Sequence, residues 1–69
     1  MTLKEFKSKL KENSKGNLIY WENRFGEYHC VTIVETDNGT YIVLNGLYKE
    51  YFDDLLDAIE YAHGEVEMW

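Results

Sequence analysis

Sixty-nine residues make one small domain with no room for a second, and an apolar share of 45% with 16% aromatic residues marks a chain that folds, not a disordered tail. One cysteine and two histidines are too few for a disulfide framework or a closed zinc site, so packing or a partner must hold the fold. A net charge of −6, no stretch near the roughly 18 apolar residues of a membrane span, and no signal-like segment behind Met1 argue against membrane roles and point to a reducing, cytosolic setting.

The first predicted element opens on Thr2-Leu3-Lys4-Glu5, a capping-box pattern in which the Thr oxygen and the Glu carboxylate satisfy the first unpaired amides of a helix. Leu3, Phe6 and Leu10 recur on one face. The helix is expected to end near Asn13 to Gly16, where Asn, Ser and Gly favour a turn.

From Leu18 the period changes to two. Leu18 to Trp21 reads as a strand closed by a turn over Glu22 to Gly26, which leaves Arg24 and Phe25 at an exposed tip, and a second strand runs from about Tyr28 to Thr36. Asn38-Gly39 between β-rich flanks signals a hairpin, with the third strand over Thr40 to Asn45. With Asn38 and Gly39 as a two-residue loop, Glu35 faces Ile42 and Ile33 faces Leu44 on the helix-covered side, with Val31 further along it. The opposite face then carries Tyr28, Cys30, Thr32, Val34, Tyr41 and Val43.

Gly46 punctuates again. A second helix is expected to start between Tyr48 and Phe52 and to end at His63-Gly64, where glycine suits the left-handed cap. On that helix Glu50, Asp53, Asp54, Asp57 and Glu60 share one side, opposite Tyr51, Phe52, Leu55, Ala58, Ile59 and Ala62. The tail, Glu65 to Trp69, alternates polar and apolar; it either adds a short edge strand or folds Trp69 onto the second sheet face. The fold class is α+β: one α-β-β-β-α domain over residues 1–69, with a three-stranded antiparallel sheet.

Charge is segregated along the chain. Residues 1–16 carry five Lys against two Glu, whereas residues 17–69 carry Arg24 and Lys49 against eleven acids. From Glu50 onward there are seven carboxylates and no Lys or Arg. Carboxylates three or four residues apart on a helix lie roughly 4.5–6 Å apart along its axis, comparable with phosphate spacing. Such a row presents fixed negative charge to a basic partner, and Tyr61 among Asp54, Asp57 and Glu60 is the candidate aromatic anchor. The plainer reading is a solvated face, although ordinary surface helices interleave charge signs.

Other constellations are weaker. Lys4, Lys7, Lys11 and Lys15 can pair with the molecule's own acids, and lysines without arginine read no bases, so no direct nucleic-acid partner is expected. The element order is similar to the double-stranded RNA-binding domain, but that fold needs a basic start to its last helix, where this chain has Lys49-Glu50-Tyr51-Phe52-Asp53-Asp54. Neighbours in a strand point to opposite faces, so His29 cannot activate Cys30. No metal-ligand spacing and no glycine-rich phosphate loop occurs, so neither an enzyme nor a cofactor is expected.

In architecture and charge, over its whole length, the chain resembles small phage-encoded inhibitors, especially anti-CRISPR proteins that occupy the DNA-binding face of Cas9. The resemblance implies a stoichiometric, non-enzymatic inhibitor, with Glu50, Asp53, Asp54, Asp57 and Glu60 standing in for phosphates on a basic nucleic-acid-binding enzyme. The alternative is a structural or assembly protein that forms a homodimer through Tyr28, Cys30, Val34, Tyr41 and Val43.

Overall fold

The computed structural model describes residues 1–69. Helix α1 spans Leu3–Lys9 and β1 Lys11–Glu12; β2 (Leu18–Arg24), β3 (Glu27–Glu35), β4 (Tyr41–Asn45) and β5 (Tyr48–Phe52) follow, and α2 (Leu55–Glu67) closes the chain. The strands form one antiparallel sheet in the order β1-β2-β3-β4-β5. The α+β class stands, but the sheet has five strands where three were expected.

The capping box forms as read. The Glu5 N–H donates to Thr2 Oγ1 at 3.1 Å and the Thr2 N–H to Glu5 Oε1 at 3.0 Å. The helix stops at Lys9, short of Asn13, because Leu10 turns extended (φ −65°, ψ 133°) and delivers Lys11 and Glu12 to the edge of β2. Asn13 fixes that return: its Oδ1 accepts from the Lys15 and Asn17 N–H groups, and its own N–H donates to the Asn17 carbonyl. Such local side-chain bonds compete directly with helix continuation.

Strand β2 runs on through Glu22 and Asn23, and Phe25-Gly26 alone makes the turn, with positive φ at both residues (52° and 79°) as a type I′ hairpin requires. Phe25 is wholly exposed there. A bulky side chain in the left-handed region is disfavoured by roughly 1–2 kcal/mol, a cost that Asn largely avoids. Phe25→Asn is therefore expected to stabilise the domain by about 1 kcal/mol, read as a higher urea midpoint; an unchanged or lower midpoint would show that Phe25 makes a compensating contact.

The β3–β4 turn corrects the expected register by one residue. Glu35 pairs with Tyr41 and Ile33 with Val43, and the loop is the three residues Asp37, Asn38 and Gly39. The Gly39 N–H donates to the Thr36 carbonyl at 3.1 Å, the Thr36 N–H to the Thr40 carbonyl at 2.9 Å, and Gly39 sits at φ 84°. This is the three-residue alternative to the Asn-Gly turn, with glycine in the left-handed position. The Thr36 and Thr40 hydroxyls, 2.7 Å apart, clamp its base. A one-residue slip exchanges faces, so Tyr41 and Val43 point to the helices while Ile42 and Leu44 point away.

The second correction lies after Gly46. With φ 62° at Gly46, Gly46-Leu47 makes a two-residue turn, and Tyr48–Phe52 pairs with β4 instead of starting a helix. The helix begins where Asp54 caps it, accepting the Leu56 N–H at 2.7 Å. It continues through Gly64 to Glu67 because Ala58, Ala62 and Val66, all fully buried, extend one apolar ridge at four-residue spacing. The tail is thus helical and forms no edge strand. Trp69 lies on the helix-covered side, stacked on Tyr20 and His29, and not on the second sheet face.

Helix α2 packs across β3, β4 and β5 and against α1, so both helices lie on one side of the sheet. The core is nine residues: Phe6, Tyr20, Val31, Ile33 and Val43 meet Ala58, Ile59, Ala62 and Val66. No helix is long and apolar enough to cross a membrane.

Candidate functional site

The acidic residues do not form one helical row. Glu50 lies on the edge strand β5 opposite Val43, Asp53 lies in the bend that follows, Asp54 is the helix cap, and only Asp57 and Glu60 belong to α2. The cause is the extra strand, which places Glu50 in extended chain, where a side chain no longer follows a 3.6-residue period. What remains is an acidic corner running from β5 through the bend into the first turns of α2. All five carboxylate residues are exposed.

No ion pair reaches this corner. The four pairs of the molecule join Met1 with Glu67, Arg24 with Glu22, His29 with Glu27 and His63 with Glu67. The lysines of the first sixteen residues, expected to neutralise the acidic helix, do not touch it. Lys49 alternates with Glu50 on β5 and so points to the opposite face. Asp54 already works as a cap, and its replacement by Ala would cost the fold about 1 kcal/mol, which separates it from its four neighbours as a free contact residue.

Tyr61 is half-buried, its ring turned to Phe52 and its hydroxyl to Glu65. Its ring lies 5.2 Å from that of Phe52 and its hydroxyl donates to Glu65 Oε1 at 2.9 Å. That hydrogen bond, with burial and the Glu65 and Glu50 charges behind it, raises the phenol above its usual range. Tyr61 also lines a cleft beside α2. Asn45, Tyr48, Glu65, Met68 and Trp69 complete that cleft of about 540 Å³.

His29 and Cys30 point to opposite sides of the sheet. The His29 ring stacks at 5.1 Å on Trp69 among the helix-side residues, whereas Cys30 Sγ lies 3.9 Å from Thr32 Oγ1 on the other face. No group of three or more His, Cys, Asp or Glu side chains is placed to hold a metal ion.

The second surface is the sheet face that no helix covers. Strand register puts Ile19 and Trp21, Cys30 and Val34, Ile42 and Leu44 on it, with Tyr28 and Tyr51. Trp21, Tyr28 and Tyr51 are 52%, 62% and 61% exposed, and Trp21 stacks on Tyr28 at 5.9 Å. Tyr28, Cys30 and Val34 are where the sequence reading puts them; Tyr41 and Val43 are replaced by Ile42 and Leu44. Trp21, which the sequence offers as a candidate surface aromatic without assigning it a face, and Tyr51, which it assigns to helix core, both belong to this surface. Phe25-Gly26 as a two-residue turn points to Trp21, Asp37-Asn38-Gly39 as a three-residue loop to Ile42 and Leu44, and Gly46-Leu47 as a two-residue loop to Tyr51.

No protein-family model matches the chain, and comparison with curated proteins and with solved structures gives no match.

Proposed function

We propose that this chain is a non-enzymatic protein-binding module that sets its acidic corner against a basic surface of another protein, and that it inhibits where that surface is one that holds nucleic acid. The observation that carries this is the lack of any cationic partner for Glu50, Asp53, Asp57 and Glu60, all exposed around one rigid corner of β5 and α2. Exposed carboxylates of one sign, held by a strand and a capped helix, form a fixed field that a cluster of Lys or Arg side chains neutralises with little rearrangement.

The test is a charge reversal that spares the cap. Asp53→Lys, Asp57→Lys and Glu60→Lys together change the corner by six charge units and leave Asp54 and the core untouched. Affinity capture from host lysate with the wild type is expected to retain a basic nucleic-acid-binding protein, and the triple variant to lose it while keeping its circular dichroism. Bound partner should also be released progressively as salt rises. Equal capture by the variant, or capture of no basic protein by the wild type, would sink this reading.

A further inference from the structure

We infer that the uncovered sheet face seats a second copy of this chain, two sheets packing face to face with the helices outermost. This rests on the sheet and not on the acidic corner.

The first observation is the composition of the face. The chain carries thirteen Asp and Glu, yet none of the side chains that strand register directs to this face is acidic. Its only charges are Lys11 on β1 and Lys49 on β5, the two edge strands, where long side chains reach water at the rim. A face meant for solvent in so acidic a protein would carry carboxylates. This one sets Ile19, Cys30, Val34, Ile42 and Leu44 around Thr32, flanks them with Trp21, Tyr28 and Tyr51, and keeps its charges to lysines on the edge strands, the anatomy of an interface.

The second observation is area. The 28 strand residues, at a rise of about 3.4 Å and about 4.8 Å between strands, give a footprint on the order of 450 Å² before side-chain relief. The relief is large, because the rings of Trp21, Tyr28 and Tyr51 each stand more than half exposed. The accessible face therefore reaches the order of 600 Å², the lower end of what each partner buries in a stable interface.

The third observation is the missing layer. Only nine of 69 residues are buried, all between the helices and one side of the sheet. A sheet apolar on both faces needs covering on both, and so small a core gains from any further burial. A two-fold axis along the central strand β3 would lay β2 of one copy over β4 of the other, with Ile19 level with Leu44, and set Lys11 level with Lys49 at the rim, where both reach water. Ile19 and Leu44 then meet twice, once on either side of the axis, the same patch used by both copies as a two-fold dimer requires.

The experiment is sedimentation velocity on the full chain from about 5 to 500 µM, at low and high salt. The wild type is expected to reach twice its 8.2 kDa monomer mass as concentration rises. Dimerisation should strengthen with salt, because salt screens repulsion between two acidic copies, opposite in sign to the release of a basic partner. Trp21→Lys with Tyr51→Lys should remain monomeric at every concentration with unchanged circular dichroism. If that pair unfolds the domain, Trp21→Thr with Tyr51→Thr, both compatible with a strand, replaces it. Asp57→Lys with Glu60→Lys should leave the dimer intact, so loss of the acidic-corner reading and loss of the dimer are separable results. A wild type monomeric throughout overturns the inference, as does a dimer that survives the face substitutions, or a monomer whose face takes a single-stranded oligonucleotide instead.

Discussion

Phe6→Ala is expected to leave the domain largely unfolded in water. Phe6 is the one fully buried side chain of α1, edge-on to Tyr20 with ring centroids 5.4 Å apart and 5.7 Å from the ring of His63. It joins the short first helix both to β2 and to the last turns of α2. A seven-residue helix has no stability of its own, so without this contact the capping box cannot hold α1 in place. Truncating a buried Phe costs about 3–5 kcal/mol, and a domain of this size has a total stability on the order of 3–10 kcal/mol. The check is urea denaturation followed by circular dichroism, with Phe6→Leu as the conservative companion, which should lose much less. A loss below about 1 kcal/mol for Phe6→Ala would show that α1 is held elsewhere.

The parts of this fold that were legible in the sequence are those in which one short segment carries its own physical reason. Thr2 and Glu5 announce the first helix because their side chains bond to each other's backbone. Alternation over residues 28–36 makes a strand under almost any tertiary arrangement. Where the reading failed, two local solutions compete and a distant contact decides. Tyr51, Phe52 and Leu55 fit the spacing of a helix face as well as strand alternation, and β5 wins because β4 offers a full ladder of partners from Tyr41 to Asn45. Gly64 looks like a helix end until Val66 is seen to fill the core.

The candidate site was legible in identity and not in geometry. Counting Asp and Glu after Lys49 finds the acidic residues, but their arrangement depends on whether Glu50 sits in a strand or a helix. Tyr61 shows the same limit, since nothing in its neighbours tells that it turns inward to Phe52 and Glu65. On β3 and β4 the uncovered face depends on register, and at Tyr51 on recognising β5 as a strand. A one-residue error at Asp37 to Gly39 assigns Tyr41 and Val43 to it and hides Ile42 and Leu44, although every residue involved was correctly placed in a strand.

Trp69→Ala is the other substitution with a large expected effect, and it has two readouts. The indole stacks on Tyr20 (5.9 Å, 17° between planes) and on His29 (5.1 Å, 23°), and Arg24 Nη1 donates to the Trp69 carbonyl oxygen at 2.8 Å. Trp69 thus closes the open end of the core above β2 and β3. Its ring is partly exposed, so the loss should fall below the value for a fully buried aromatic, at about 2–3 kcal/mol. Trp69→Phe should restore most of it, because the ring persists and the buried indole N–H, which has no hydrogen-bond partner, is removed.

The second readout is Tyr20. Burial, followed by its hydrogen bond to Glu22, pushes the phenol up to about 12. A raised phenol favours the fold while it stays protonated. That contribution is complete below the unfolded value near 10 and is lost as pH rises from there through about 12. The wild type should therefore weaken across that window, and ultraviolet titration should show one tyrosine ionising near its upper end. Without the indole, water reaches the ring, the phenol should ionise closer to 10, and the alkaline loss of stability should shrink. If Tyr20 still ionises near 12 in Trp69→Ala, the sheet and Phe6 bury it without help, and Trp69 is an ornament of the core and not its lid.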